Sequence, residues 1–181
     1  MIASLLFVTL AAPAQGYATR DLGPWKVAAA RDGDGCFMTR SYPRDGDTTL
    51  LFGLSADGSN RLTVLNANWS IKPRDRLTLD YRLSNRRFPR QLAIGLAAGD
   101  KQGFVSTFDA KFPAQFAAAT SLAIFRGEVP VERLTLEGTG VAVAELRRCV
   151  AASKGAPAAR DAGDEAIPRD PFADSQPKRR K

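Results

Sequence analysis

Between Trp25 and about Phe108 apolar and polar residues alternate with period two, and turn-forming pairs separate the runs. In "DRLTLDYRL" Leu77, Leu79, Tyr81 and Leu83 fall on one face, while Thr78, Asp80 and Arg82 fall on the other. One side therefore meets a core and the other meets water. The same alternation appears at Trp25/Val27/Ala29, Leu50/Phe52/Leu54, Leu62/Val64 and Leu92/Ile94/Leu96. Between these runs lie "RDGDG", "PRDGD", "SADGSN" and "AAGDKQG", rich in residues that tolerate the positive φ of tight turns. Short strands joined in this way predict an antiparallel meander.

Two segments depart from the strand pattern. "FPAQFAAATS" places Pro113 where a first helical turn accepts it and sets Phe112 and Phe116 four apart, which predicts a short helix on the sheet. "SLAIF" and "VERLTLEG" then resume the strands, with Pro130 at an edge. Gly138 and Gly140 allow a corner, with Thr139 as the expected N-cap of a C-terminal helix. In that helix Val143, Leu146 and Val150 recur at helical spacing beside Ala142 and Cys149, and Glu145, Arg147 and Arg148 are expected to face out. The predicted fold is mainly β: an antiparallel sandwich or twisted barrel-like sheet with a short helix and a packed C-terminal helix.

The first residues, "MIASLLFVTLAAPAQGYA", combine an apolar stretch with a small-x-small pattern at 12–14, although no Lys or Arg precedes it. They read as a secretory signal over 1–16, too short for the ~20 apolar residues of a membrane span. The expected division is therefore a signal at 1–16, a β-rich domain at 17–153 and a disordered, basic-ended tail at 154–181, where too little apolar surface remains to offset ordering. In an exported chain the two cysteines, Cys36 and Cys149, are expected to form one disulfide pinning the terminal helix to the strand that Cys36 opens. Two separate reactive thiols are the alternative, though neither cysteine sits in a C-x-x-C.

A tryptophan at the mature start, a cysteine on the next strand, an L-x-L-x-G corner, an alanine-bearing helix and a closing cysteine stand here as Trp25, Cys36, Leu134-Leu136-Gly138, Ala142-Ala144 and Cys149. This frame resembles small exported proteobacterial domains, among them proteins of the invasion-associated locus B type. The resemblance implies a periplasmic or secreted bacterial β-rich domain and carries over no catalytic residue.

The chain has no histidine, which removes the commonest general base, the commonest zinc ligand and the usual route to an activated serine or cysteine. No cofactor or metal is expected. The aspartates Asp32, Asp34, Asp45 and Asp47 lie in turn sequences that lack the further ligands and closing Glu of a calcium loop. The net charge of +7 is spread along the chain, with seven Lys/Arg against five Asp/Glu after position 152. That distribution is not a nucleic-acid footprint, and nucleic acid is not an expected partner. "SNRRFPRQ" sets Arg86, Arg87 and Arg90 around Phe88, read as an exposed aromatic, and is the candidate contact for an anionic envelope component. The expectation is a non-catalytic exported accessory or binding protein. The alternatives are a glycosidase-like hydrolase using Asp109, Glu128 or Glu132, or an inhibitor or subunit of a periplasmic complex.

Overall fold

The computed structural model describes residues 17–31, 33–44 and 46–153. The expected signal at 1–16 and tail at 154–181, together with Asp32 and Asp45, lie outside the described residues. The first five strands are β1 (Arg20–Leu22), β2 (Trp25–Ala29), β3 (Gly35–Tyr42), β4 (Thr48–Ser55) and β5 (Asn60–Asn66). Next come β6 (Arg76–Leu83), β7 (Arg87–Ala98), β8 (Lys101–Thr107) and helix α1 (Phe112–Ala117), then β9 (Ser121–Arg126), β10 (Val129–Thr135) and helix α2 (Thr139–Ser153). All ten strands form one antiparallel sheet in the order β1-β2-β3-β4-β5-β8-β7-β6-β9-β10.

Of the two expected forms, the chain takes the curled single sheet. β10 ends the hydrogen-bonded order, yet the carbonyls of Thr135 at its end and Glu137 just past it accept from side chains of β3 and β2. Met38, Leu50, Phe52, Leu62, Val64, Tyr81, Phe104 and Ile124 are fully buried on the concave face. The helices close that side. Phe112 and Phe116 of α1 pack at a tilt against Phe52 at ring-centroid distances of 5.8 and 5.0 Å. On α2, Ala142, Val143, Leu146, Cys149 and Val150 are buried, and the helix packs on β2 and β3.

Three expectations change. Leu92, Ile94 and Leu96 are on the outer face of β7, with Leu92 49% exposed, and the inward positions are Ala93 and Gly95. The reason is crowding: a Cβ at Gly95 would stand 2.2 Å from the Lys72 carbonyl and 2.9 Å from the Ile71 side chain. The connection from β5 to β6 runs beneath β7 and carries Trp69 and Ile71 onto the core, so only small residues fit above it. Thr139 is not an N-cap: its hydroxyl donates backwards to the Leu136 carbonyl at 2.5 Å, and the corner is turned by Gly138 at φ +77°. Glu145 does not face out but is buried on α2, because Tyr17 lies over it and donates to its carboxylate at 2.6 Å.

Cys36 and Cys149 form a disulfide with Cα atoms 6.1 Å apart across a sequence separation of 113. It ties the last turns of α2 to the start of β3. Closing so long a loop restricts the unfolded chain, a constraint worth about 4–5 kcal/mol in the chain-entropy description. Reduction, or Cys36→Ala with Cys149→Ala, is expected to lower the unfolding free energy by about that amount. Urea unfolding with and without reductant measures it, and an unchanged midpoint would show that the bond clamps nothing.

Candidate functional site

In β10 every second residue turns its carbonyl away from β9, toward what would be open solvent at a free sheet edge. Here that row is occupied. Arg44 donates to the Arg133 carbonyl at 2.8 Å, the Tyr42 hydroxyl to the Thr135 carbonyl at 2.7 Å, and Trp25 Nε1 and Arg40 to the Glu137 carbonyl at 2.8 and 3.1 Å. Side chains thus make a seam where no backbone ladder forms. The Glu132 carboxylate accepts from Thr48 at 2.5 Å, from Arg44 at 3.1 Å and from the Arg133 amide at 2.8 Å. Thr48 in turn accepts from buried Asn66 at 2.9 Å. Lys101 fixes the turn that carries Arg44 and Thr48, donating to Asp47 and to Thr49.

Two cavities open beside the seam. One, of about 360 Å3, lies over Arg44, Thr48, Asn66, Trp69 and Glu132. The other, of about 400 Å3, is lined by Arg40, Tyr42, Arg44, Arg133 and Thr135. Both fall in the size range of small-molecule clefts, roughly 300–1,000 Å3. Arg40 stacks over Tyr42 at 4.7 Å from the ring centroid, and burial pushes the Tyr42 hydroxyl up to about 12. The Tyr42 phenol therefore stays neutral and donating throughout the ordinary pH range.

The sequence-predicted arginines are exposed. Arg86 lies in the turn between β6 and β7, Arg87 opens β7 opposite Arg82, and Arg90 sits in a bulge where Pro89 and Arg90 together oppose Asp80. Arg90 has φ +52°, and its amide donates to Asp80 Oδ1 at 2.6 Å. Phe88 is not the exposed aromatic of this cluster: it is 9% exposed and packs edge-on to Phe108 and Phe112. Because Phe88 follows the cross-strand Arg82–Arg87 pair by one residue, it points to the opposite face. Phe125 lies instead 4.1 Å below the guanidinium of Arg82, the cross-strand neighbour of Arg87.

The three carboxylates weighed for hydrolysis do not converge. Asp109 accepts from the amides of Lys111 and Phe112 at the start of α1, Glu128 is exposed in the β9–β10 turn, and Glu132 is held by Arg44 and Thr48. Asp47 is engaged by Lys101, and among the described residues no group of three or more His, Cys, Asp or Glu is placed to hold a metal ion.

No family model matches this sequence, and no curated protein matches it. Among solved structures, invasion associated protein B from Bartonella henselae superposes with a TM-score of 0.55, covering 76% of this chain and 99% of that chain at 18% identity. The two share a fold. The resemblance read from Trp25, Cys36, the Gly138 corner and Cys149 therefore holds at the level of architecture. No helix among the described residues is long and apolar enough to cross a membrane.

A second polar cluster joins the N-terminal segment to α2. Tyr17 and Arg148 donate to opposite oxygens of Glu145 at 2.6 and 2.7 Å, and Arg20 lies 3.8 Å away. These partners, Tyr17 first, hold the Glu145 carboxyl below its ordinary value, while burial and Glu145 push Tyr17 up to about 12. A depressed carboxyl stabilises the fold fully above its unfolded value and loses that contribution as pH falls through the folded one. The raised tyrosine contributes fully below about 10 and loses its share as pH climbs toward 12. Urea midpoints recorded from neutral pH into the acid range are expected to fall less steeply for Glu145→Gln than for the natural chain. Parallel curves would remove the cluster from any role in acid stability.

Proposed function

We propose that the chain is an exported, non-catalytic accessory or binding protein of a bacterial envelope, carried by a signal at 1–16. The observation that carries this reading is the Cys36–Cys149 disulfide, which binds the last helix to the sheet and suits an oxidising compartment. The fold shared with invasion associated protein B supports a role at the cell surface or in the periplasm. Exposed Arg86, Arg87 and Arg90 form the convex contact for an anionic envelope component. Their exposure suits adhesion to a charged surface.

Expressed with its own N-terminus in a Gram-negative host, the chain is expected in the periplasm or medium, shortened at the N-terminus and oxidised. A variant lacking residues 1–16 is expected in the cytosol with free thiols. Full-length, reduced protein in the cytosol would defeat the reading. On anionic vesicles at low salt the mature chain is expected to be retained, and Arg86→Glu/Arg87→Glu/Arg90→Glu is expected to wash through. Equal retention of both proteins would remove the turn from the contact.

A further inference from the structure

The outer side of the seam continues beyond Arg133 and Thr135 into a third cavity of about 310 Å3 bordered by Arg82, Leu122, Phe125 and Leu134. The two outer cavities share Arg133 and Thr135, so they form one groove that crosses β6, β9, β10 and the end of β3. Strands lie about 4.8 Å apart, and the groove therefore runs for roughly 15 Å. Four guanidiniums border it: Arg82, Arg133, Arg40 and Arg44. Of the four guanidiniums, that of Arg44 is the one paired with Glu132. Among the described residues the Arg82 and Arg133 guanidiniums make no hydrogen bond or ion pair and lie 4.1 and 5.9 Å from the Phe125 ring, while Arg40 uses one N–H for the Glu137 carbonyl. Most of their donors are therefore free to meet a ligand.

The floor has a different character. Phe125 and Ala123 give it an apolar strip, with Tyr42 at one end, while the rim is cationic. A flat lipid surface meets convex charge best. A concave strip with apolar floor and spaced guanidiniums fits an extended chain whose rings present C–H faces and whose carboxylates are spaced along it. Planar guanidiniums suit carboxylates because they donate two parallel hydrogen bonds.

We propose that this groove binds a linear acidic polysaccharide, its carboxylates held by Arg82, Arg133 and Arg40 and its ring faces laid along the apolar floor beside Phe125. The proposal rests on the reading of the chain as a binding protein, and adds to the Arg86–Arg90 turn a second surface with a defined ligand class.

The test is calorimetric titration of the oxidised mature chain at low salt with a galacturonate oligomer of several units. A neutral gluco-oligosaccharide of equal length, inorganic phosphate and phosphatidylglycerol vesicles serve as comparison probes. Saturable binding of the oligogalacturonate is expected, with none of the neutral oligomer. Arg133→Gln and Arg82→Gln, whose side chains hold no hydrogen bond among the described residues, are each expected to weaken it about tenfold, and Arg133→Lys to weaken it less. Arg86→Gln/Arg90→Gln, which spares Arg87 beside Arg82, is expected to bind the oligomer as the natural chain does. Thermal melts identify any variant that fails to fold, and Arg133→Lys then carries the comparison. No saturable binding, phosphate binding as tight as the oligomer's, or loss confined to the 86–90 variant would overturn the proposal. Should vesicle retention through the turn persist without oligogalacturonate binding, the groove fails while the binding reading stands; should both vanish, both fall.

Discussion

A sheet of ten strands has two edges, and the treatment of one of them organises this protein. β1 is blunted by its length of three residues. β10 is longer, and Pro130 near its start has no N–H to offer a partner strand. The carbonyls of Arg133, Thr135 and Glu137 remain, and Arg44, Tyr42, Arg40 and Trp25 cover them in turn. The series advances by two residues because carbonyls on one edge of a strand recur at that interval. Side-chain donors are longer than a ladder hydrogen bond, so they join the edges while leaving space between them. The cavities are that space. Guanidiniums gather there because the residue type that reaches an edge carbonyl also carries charge.

The disulfide and the polar cluster on α2 hold the same structure from the other side. Cys149 anchors the end of the helix to β3, and Glu145 anchors its middle to the N-terminal segment through Tyr17. Between them the buried stripe from Ala142 to Val150 is pressed onto β2 and β3, the strands that supply the seam donors Trp25, Arg40 and Tyr42. Trp25 connects the two systems. Its ring is fully buried, its Nε1 caps the edge carbonyl of Glu137, and it lies against Gly138 at the start of α2.

Much of this is legible in the sequence because it is local. Alternation at Leu50–Phe52 and Leu79–Tyr81–Leu83, turn chemistry, Pro113 and the stripe on α2 each report a nearby physical preference. The cysteine pairing is legible because only two cysteines exist. What escapes is long-range. The outward placement of Leu92, Ile94 and Leu96 depends on the 67–75 connection filling the interior below Gly95, and the larger residues on the outer face mislead a reader of periodicity. Phe88 looks like part of an arginine loop until its pairing with buried Tyr81 sets it on the inner face. The seam is the least legible part, since Arg40, Tyr42 and Arg44 are about ninety residues from the carbonyls they meet. The faint signal was a Tyr flanked by arginines on a strand, "TRSYPR", which departs from simple in-out alternation.

The fold shared with invasion associated protein B supplies an architecture, and the distinctive chemistry of this chain is arginine set along a closed edge. Nuclear Overhauser spectroscopy of the oxidised chain examines that edge directly. If the sheet curls as described, the Tyr42 ring protons give cross-peaks to Thr135, residues that are 93 apart in sequence and on strands sharing no ladder. Absence of those cross-peaks, with the ring free in solvent, would mean an open sheet without seam or groove.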